Sequence, residues 1–316
     1  MRVLFWGTPE FAAPPLRALL GEGFDVVGVV TQPDRPQGRS RSQLVPSAIK
    51  QIAVEESLAV FQPERPRDPE FIAAIRALQP DISVVVAYGH ILPKDVIDLP
   101  RLGTLNIHAS LLPAWRGAAP IQASIRSGDA ETGVTIMRMV PKLDAGPILL
   151  QVPTPIVHDE TYGELQLRLS ELGALALIEA LSLIDLGQMV EREQDDSIAT
   201  MAPKIEREDA RIDWTRSAAE VARSIRAYDP KPGAWTTLGG AEVKLFGARG
   251  IAADRPSGAE DVAPGSVIAI DDSGAIIACG DGVVRITHAQ PAGRRRLTMT
   301  ELSRGRGIDV GHRFGA

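Results

Sequence analysis

The stretch from Asp81 to Ala87, DISVVVA, is a nearly continuous run of apolar residues. Such a run is typical of a strand that is buried on both faces within a parallel sheet. Further strands are predicted at Asp25 to Thr31, Thr104 to Ala109 and Gly133 to Met139. Helical spacing lies between or after them, at Ala12 to Leu20, Pro46 to Ser57, Phe71 to Leu78, Ala119 to Ser127 and Thr161 to Leu186. The alternation predicts an α/β fold with a doubly wound, mostly parallel sheet, whose ligands bind beyond the carboxyl ends of the strands.

The pattern of the chain changes near residue 190. The following residues are acidic and lack a sustained period, so we predict a linker at 190–206, between a first domain at 1–189 and a second at 207–316. In the second domain we expect a helix at Glu220 to Tyr228 and then short β-rich pieces, several of them separated by Gly-Gly, Asp-Gly or Ser-Gly turns. Short strands with such turns are typical of a small β-barrel.

Composition narrows the class of protein. Cys279 is the only cysteine, so the sequence predicts neither an internal disulfide framework nor a cysteine metal cluster. The five histidines lack metal-ligand spacing, and we expect no metal. No apolar run approaches the length of a membrane span, and Met1 to Gly7 lacks the basic start of a signal peptide. We therefore expect a cytoplasmic protein with no membrane partner.

Charge is distributed unevenly along the chain. The total of −6 argues against non-specific binding to nucleic acid. Residues 1–206 carry 18 basic and 26 acidic side chains, a net −8, whereas residues 207–316 carry 16 and 14, a net +2. Five arginines of the second part lie close together: Arg294, Arg295, Arg296, Arg304 and Arg306. They could bind a polyanion, and a solvated arginine-rich loop explains them equally well.

The turn after the first predicted strand argues against a nicotinamide-dependent dehydrogenase. It reads Gly7-Thr8-Pro9-Glu10-Phe11 and lacks the G-x-G-x-x-G pattern. Those glycines let a backbone approach a pyrophosphate closely, so their absence disfavours a dinucleotide site at this position.

Polar residues interrupt the predicted strand in the stretch Thr104 to Gly117, TLNIHASLLPAWRG. Asn106 and His108 alternate with apolar residues and therefore share one side of the strand. If they lie at its carboxyl end, both face the ligand crevice, where an amide and an imidazole can stabilise a developing oxyanion. A structural histidine with satisfied hydrogen bonds is the alternative interpretation.

Asp144 follows in the loop Pro141 to Pro147, PKLDAGP, which leaves the Gly133–Met139 strand. We expect this loop at the same edge of the sheet as His108. A carboxylate there would orient the imidazole and favour its charged form. Taken alone, an aspartate before a Gly-Pro turn is more often a turn residue.

Three motifs together resemble the signature of the folate-dependent formyltransferases, and the resemblance extends over essentially the whole chain. They are Asn106-x-His108, Ser110-Leu111-Leu112-Pro113-x-x-Arg116-Gly117 and Leu143-Asp144-Ala145-Gly146. The resemblance implies catalytic roles for Asn106, His108 and Asp144. It implies folate contacts from Ser110, Leu111, Leu112 and Pro113, and an OB-like β-barrel as the smaller C-terminal domain. His90 and the Gly/Arg-rich end, Ser303 to Phe314, depart from the family pattern.

Within that family the chain is most similar to the enzymes that act on methionyl-tRNA. The resemblance implies a formyltransferase with 10-formyltetrahydrofolate as co-substrate and methionyl-initiator tRNA as acceptor, used in translation initiation. It implies a metal-free reaction, in which residues 1–189 hold the catalytic site and residues 207–316 bind tRNA. We expect a monomer.

The stretch Thr31 to Ser42, TQPDRPQGRSRS, bears on the choice of acceptor. It resembles the insertion that these tRNA-modifying enzymes use at the acceptor stem, which would bring Arg35, Arg39 and Arg41 to tRNA phosphates. An ordinary polar surface loop is the alternative interpretation.

Other functions share some of these features. A formyltransferase for an amino-sugar nucleotide would keep Asn106, His108 and Asp144 without needing the arginine-bearing insertion. A glycinamide ribonucleotide formyltransferase would resemble the first domain only. A non-catalytic RNA-binding protein would not need the three polar residues, and a metallohydrolase would need metal-ligand spacing.

Overall fold

The strand that opens the chain, β1 (Arg2–Gly7), lies inside a seven-stranded sheet. A computed structural model of the chain describes residues 1–37, 43–252 and 262–315. Contacts group Met1–Pro120, Thr132–Thr154 and Gln166–Ala202 into a first unit, and Ile121–Glu131, Pro155–Leu165 and Pro203–Ala316 into a second.

Strands and helices alternate through the first part of the chain. After β1, the strands are β2 (Asp25–Val30), β3 (Arg35–Gln37), β4 (Gln43–Val45), β5 (Val60–Phe61), β6 (Ile82–Val86), β7 (Thr104–His108), β8 (Arg116–Gly117), β9 (Glu131–Arg138), β10 (Ile148–Pro155) and β11 (Met201–Ala202). The helices are α1 (Ala13–Gly21), α2 (Ala48–Glu55), α3 (Pro69–Ala77), α4 (Lys94–Ile97), α5 (Pro120–Ser127) and α6 (Tyr162–Asp185).

Parallel pairing dominates the large sheet. Its order is β10-β9-β7-β6-β1-β2-β5, with β1 parallel to β2 and β6, β2 parallel to β5, and β6 parallel to β7. Among the strand pairs described in this sheet, the one antiparallel pair is β9 with its neighbour β7. The predicted doubly wound, mostly parallel sheet is confirmed. Because the chain builds outward from β1 to β5 and then returns to β6 and β7, the strand order reverses at β1, and ligands of such folds bind beyond the carboxyl ends there.

Burial explains why β1 and β6 are central. Every residue of β6 is buried, as are the residues of β1 after Arg2. Trp6 is the largest fully buried side chain, and its indole N–H donates to Ser83 Oγ at 3.3 Å, which satisfies its only polar atom. Phe71 and Tyr88 meet the Trp6 ring edge-on, with centroids 5.7 and 5.2 Å away.

Side chains cap the first turns of α2 and α3. Ser47 accepts a hydrogen bond from the Lys50 N–H at the start of α2, and Asp68 does the same for Glu70 at α3. Of the helices in the described ranges, α6 is the longest, at 24 residues. None of the helices that the structure describes combines the length and the apolar character of a membrane span.

An antiparallel sheet forms most of the second unit. Its elements beyond residue 203 are α7 (Ala218–Ala227), β12 (Ala234–Leu238), β13 (Ala241–Ala252), β14 (Val267–Asp271), β15 (Gly274–Ala278), β16 (Val283–Pro291), β17 (Leu297–Thr298) and α8 (Met299–Arg304). The strand order is β12-β13-β16-β15-β14, and β17 pairs with β16. The predicted β-rich second part is confirmed, while its closure into an OB-like barrel stays a prediction.

The segment predicted as a linker contains ordered structure. Within it, β11 pairs in parallel with β8, through Met201 with Arg116 and Ala202 with Gly117. Residues up to Ala202 group with the first unit, and those from Pro203 onward group with the second.

Burial along β7 makes it sensitive to truncation. Leu105 is fully buried, whereas Leu167 on α6 is 61% exposed, so the same substitution tests burial alone. We expect Leu105→Ala to lower the free energy of unfolding by about 2–5 kcal/mol. Leu167→Ala should change it by less than about 0.5 kcal/mol. Urea unfolding measures both, and equal losses would contradict the placement of β7 in the core.

Candidate active site

The carboxyl end of β7 carries the two polar residues picked out from the sequence. Asn106 lies opposite Val85 of β6 and Met137 of β9, and His108 lies opposite Thr135 of β9. Strand geometry therefore puts both side chains on one face, as predicted. His108 is buried and Asn106 is half-buried, which leaves part of the amide accessible to a ligand. Asn106 is also the only asparagine in the chain.

Two oxygen atoms flank the His108 imidazole. Its Nε2 lies 2.9 Å from the Trp115 carbonyl oxygen, and its Nδ1 lies 3.6 Å from Asp144 Oδ2. A carbonyl oxygen can only accept, so Nε2 carries a proton and donates it to Trp115. The Nδ1–Asp144 separation is longer than a hydrogen bond. Nδ1 is therefore the nitrogen that can exchange a proton with a ligand.

Burial controls the charge of His108. It lowers the pKa of His108 below the ordinary value, because the imidazolium would lose its hydration. The Asp144 carboxylate and the hydrogen bond to Trp115 raise this pKa, but burial is the larger effect. The balance favours a neutral imidazole in the protein without ligand. The sequence predicts that Asp144 favours a charged His108, whereas burial, which opposes that charge, arises only from the packing of the fold.

Asp144 is fixed by its own backbone and by a neighbouring loop. Its φ of 47° lies in the left-handed region, which aspartate tolerates better than most residues. Oδ2 accepts a hydrogen bond from the Gly117 N–H at 2.8 Å. The loop therefore places the carboxylate beside His108, at the edge of the sheet expected from the sequence.

The predicted folate segment is largely engaged in the fold. Ser110 is fully buried and donates from Oγ to the Ala114 carbonyl at 2.6 Å. Leu112 is buried, while Leu111 and Pro113 are half-buried and keep some exposed surface. A folate contact from this segment stays a prediction.

The predicted tRNA contacts lie apart from the catalytic triplet in the sequence. Arg35 is exposed on β3, and its guanidinium donates to Gln32 Oε1 at 3.2 Å. Arg39 and Arg41 lie outside the described residues. Among the residues that are described, no group of three His, Cys, Asp or Glu side chains is arranged to hold a metal ion.

Sequence reasoning missed the residues that support the triplet. The Trp115 carbonyl orients His108, and the buried Arg116 ties together segments beyond it in the chain. The sequence did contain one signal for Arg116, because this charged residue is part of the motif that also contains the predicted folate segment. Its burial is visible only in the structure. The sequence contained no signal for the role of Trp115, because the contact is made by a backbone carbonyl, which every residue type possesses.

The His108 environment predicts its titration. In the unmodified protein the pKa of His108 should lie below about 6.5, the ordinary histidine value. Asp144→Asn should lower it further, because the charge that raises it is removed. The unfolded chain binds a proton at His108 more readily than the folded protein does. The contribution of neutral His108 to the free energy of unfolding is therefore fully present above the unfolded-state pKa, and it is lost as pH falls toward the folded-state pKa. NMR titration measures the shift, with Asp95→Asn at an exposed site as control. The same His108 pKa in wild type and Asp144→Asn would contradict the arrangement.

Comparison with known proteins identifies relatives of the whole chain. The formyl transferase family model matches residues 1–181, and the model of the formyl transferase C-terminal domain matches residues 204–307. A methionyl-tRNA formyltransferase from Pseudomonas putida (strain GB-1) is 48% identical over 302 residues, which is 96% of this chain and 95% of that protein. One from Marinobacter nauticus is 46% identical over 305 residues, covering 96% of each chain.

Solved structures share the fold at lower identity. HypX from Aquifex aeolicus, in complex with tetrahydrofolic acid, matches with a TM-score of 0.65 and 22% identity over 96% of this chain. This chain spans only 46% of the HypX chain. WlaRD, a sugar 3N-formyl transferase, matches with a TM-score of 0.65 and 18% identity over 93% of this chain and 99% of its own. With both domain models matched in order and near-half identity along almost the full length, the chain belongs to the formyl transferase family.

Proposed function

We propose that the chain transfers the formyl group of 10-formyltetrahydrofolate to the α-amino group of methionyl-initiator tRNA. The observation that carries the proposal is the grouping of His108 and Asp144 with Asn106 at the end of β7. Relatives that are 46–48% identical over 96% of the chain support the choice of acceptor. The full proposal is a cytoplasmic, monomeric enzyme of translation initiation, with residues 1–189 catalytic, 190–206 a connection and 207–316 a tRNA-binding domain.

The Asn106 amide is suited to hold the formyl oxygen. It makes no hydrogen bond to any residue that the structure describes, so both of its N–H groups are available to a ligand. When bound, 10-formyltetrahydrofolate supplies a formyl carbon already activated on nitrogen. A fixed donor at this position stabilises the negative charge that develops on oxygen when the amine attacks.

His108 is suited to move the proton. Its neutral Nδ1 accepts the proton that the amine loses as it bonds to the formyl carbon. The same nitrogen then returns the proton to the nitrogen that leaves that carbon. Asp144, 3.6 Å from Nδ1, stabilises the imidazolium between the two transfers. The hydrogen bond from Nε2 to Trp115 keeps the ring from turning meanwhile.

The five clustered arginines of the second unit are of two kinds, which differ in their side-chain contacts. Arg296 contacts Asp229 with both guanidinium nitrogens, at 3.1 and 3.3 Å, and lies 4.1 Å over the Phe246 ring. It therefore supports the fold. Arg294, Arg295, Arg304 and Arg306 are exposed, and Arg295 lies 3.4 Å from the exposed Glu301. The proposed contact with tRNA phosphates in this unit falls to these four arginines.

Loss of Asn106 or His108 should slow the chemical step. We expect Asn106→Ala and His108→Ala each to reduce the single-turnover rate by about 10² to 10³, because each removes a group that acts mainly in the transition state. His158→Ala is the matched control, since His158 is 80% exposed and its Nδ1 lies 3.1 Å from the neighbouring Asp159. Single-turnover rates near wild type in both site variants, with the fold retained, would contradict the mechanism.

The acceptor is tested by direct comparison. With purified protein and 10-formyltetrahydrofolate, methionyl initiator tRNA should be formylated in preference to methionyl elongator tRNA and to an amino-sugar nucleotide. Preference for the sugar nucleotide would overturn the acceptor while leaving the catalytic triplet in place.

The arginine-bearing insertion should contribute to tRNA binding through the positive charge of its arginines. Replacing Arg39 and Arg41 by Ala should weaken tRNA binding and reduce the slope of log K against log salt by up to about 2, since fewer counterions are released. Arg65 and Arg67 have the same spacing and are exposed, so their double Ala variant is the matched control. Folate binding should not change in either variant. A tRNA dissociation constant that is unchanged across a salt series would assign the insertion to an ordinary surface loop.

A further inference from the structure

Residues 194–202, here called the strap, contact both sides of the candidate active site. They lie outside both family-model matches, which end at residue 181 and resume at residue 204. We propose that two residues of the strap position the reacting groups of this chain: Gln194 positions Asp144, and Thr200 positions His108 through Trp115. This inference rests on the proposed formyl transfer and names the residues that hold its reacting groups in place.

Backbone pairing fixes the strap against the segment that follows His108. The Arg116 N–H donates to the Thr200 carbonyl at 2.9 Å, and β11 continues the pairing with β8. Gly117 allows this approach, because a Cβ at that position would lie 2.5 Å from the Ala202 carbonyl oxygen. Its φ of 122° also suits glycine alone among common residues. The strap is therefore seated at a defined register beside the site.

Gln194 holds the Asp144 loop by its backbone. Its Nε2 donates to the carbonyl oxygens of Asp144 and Gly146, at 2.9 and 2.7 Å. Its Oε1 accepts from Nη2 and Nε of Arg116, at 2.8 and 3.1 Å. Since a guanidinium can only donate, the orientation of the Gln194 amide is determined by these contacts. Every polar atom of the side chain is engaged, and the loop that carries Asp144 is fixed at two carbonyls.

A second arm reaches the same loop through charge. Arg116 is 4% exposed, and its Nη1 donates to Asp196 Oδ1 at 2.7 Å. The other oxygen of Asp196 accepts from Nζ of Lys142, two residues before Asp144. A buried guanidinium is stable only when its donors are satisfied, and here the strap supplies both partners. Arg116 thus links Gln194 to Asp196, and these two residues contact the two ends of the turn that carries Asp144.

Thr200 acts on the other side of the site. Its Oγ1 accepts from the Trp115 N–H at 2.8 Å, and its own N–H donates to the Pro113 carbonyl at 3.3 Å. Trp115 has a φ of 61°, a conformation that is costly for a bulky side chain and needs such support. The carbonyl of this same residue accepts from His108 Nε2. Thr200 therefore controls the group that sets the tautomer of the catalytic imidazole.

These contacts differ from ordinary packing because they end on the backbone of the reacting residues or of their direct partners. A displacement of about 1 Å at such a group can cost about 10²-fold in rate. The structure therefore assigns Gln194 and Thr200 to positioning, and their loss should be felt in the chemical step more than in substrate binding.

The experiment uses the full-length protein with one variant for each arm. Gln194→Met removes all four hydrogen bonds at similar volume, and Thr200→Val removes only the hydroxyl. Each should lower the single-turnover formylation rate about 10- to 100-fold, while KM for methionyl-tRNA and for the folate donor changes less than about threefold. Thr200→Ser keeps the hydroxyl and should retain the rate. Ser197→Ala is the control, because that hydroxyl lies on the strap and donates to Asp195, away from Asp144 and Trp115 in the hydrogen-bond network of the described residues.

The His108 titration, followed by NMR, separates positioning from general destabilisation. Thr200→Val should shift the pKa of His108, whereas Ser197→Ala should not, even if both change the unfolding temperature equally. Wild-type rates in Gln194→Met and Thr200→Val would overturn the proposal, as would rate losses of the same size in Ser197→Ala. If the wild-type protein does not formylate methionyl-tRNA, the proposed function fails on its own, and the His108 titration still tests the strap.

Discussion

The hydrogen bond from His108 Nε2 to the Trp115 carbonyl is the interaction on which the account of this site depends. It consumes one nitrogen of a buried imidazole and thereby decides that the other, Nδ1, faces Asp144. Burial favours the neutral ring, and the carboxylate stabilises the charged ring once a proton arrives. The combination gives a base that is neutral at rest and supported when protonated, which suits a reaction that moves one proton between two nitrogens.

The fold delivers this arrangement from three separate parts of the chain. The strand β7 places Asn106 and His108 on one face, the loop after β9 brings Asp144, and the strap fixes the backbone around both. Each part has a local reason for its conformation: strand alternation, a left-handed aspartate, and a glycine at residue 117 that admits a close neighbour. The first unit thus places its candidate site at the carboxyl edge of the sheet, where doubly wound folds bind their ligands.

The sequence was sufficient to predict the sheet and the proximity of His108 to Asp144. Apolar runs such as Asp81 to Ala87 identify buried strands, and Asn106 and His108 interrupt a strand that otherwise has no reason to carry polar residues. It was insufficient for the strap, because Gln194 and Thr200 act through backbone carbonyls and N–H groups that any sequence possesses. The expected charge on His108 took no account of burial, which lowers the pKa of the ring and arises from packing between distant segments. The domain limits at 189 and 207 and the barrel-like closure of the second unit remain predictions.

The tautomer of His108 is the quantity that tests the central claim most directly. In protein labelled with ¹⁵N at histidine, and with the His108 signals assigned by comparison with His108→Gln, the two ring nitrogens can be distinguished at neutral pH. The account predicts a protonated Nε2 and an unprotonated Nδ1 in the protein without ligand. A protonated Nδ1 with a bare Nε2, or a ring protonated on both nitrogens, would contradict it.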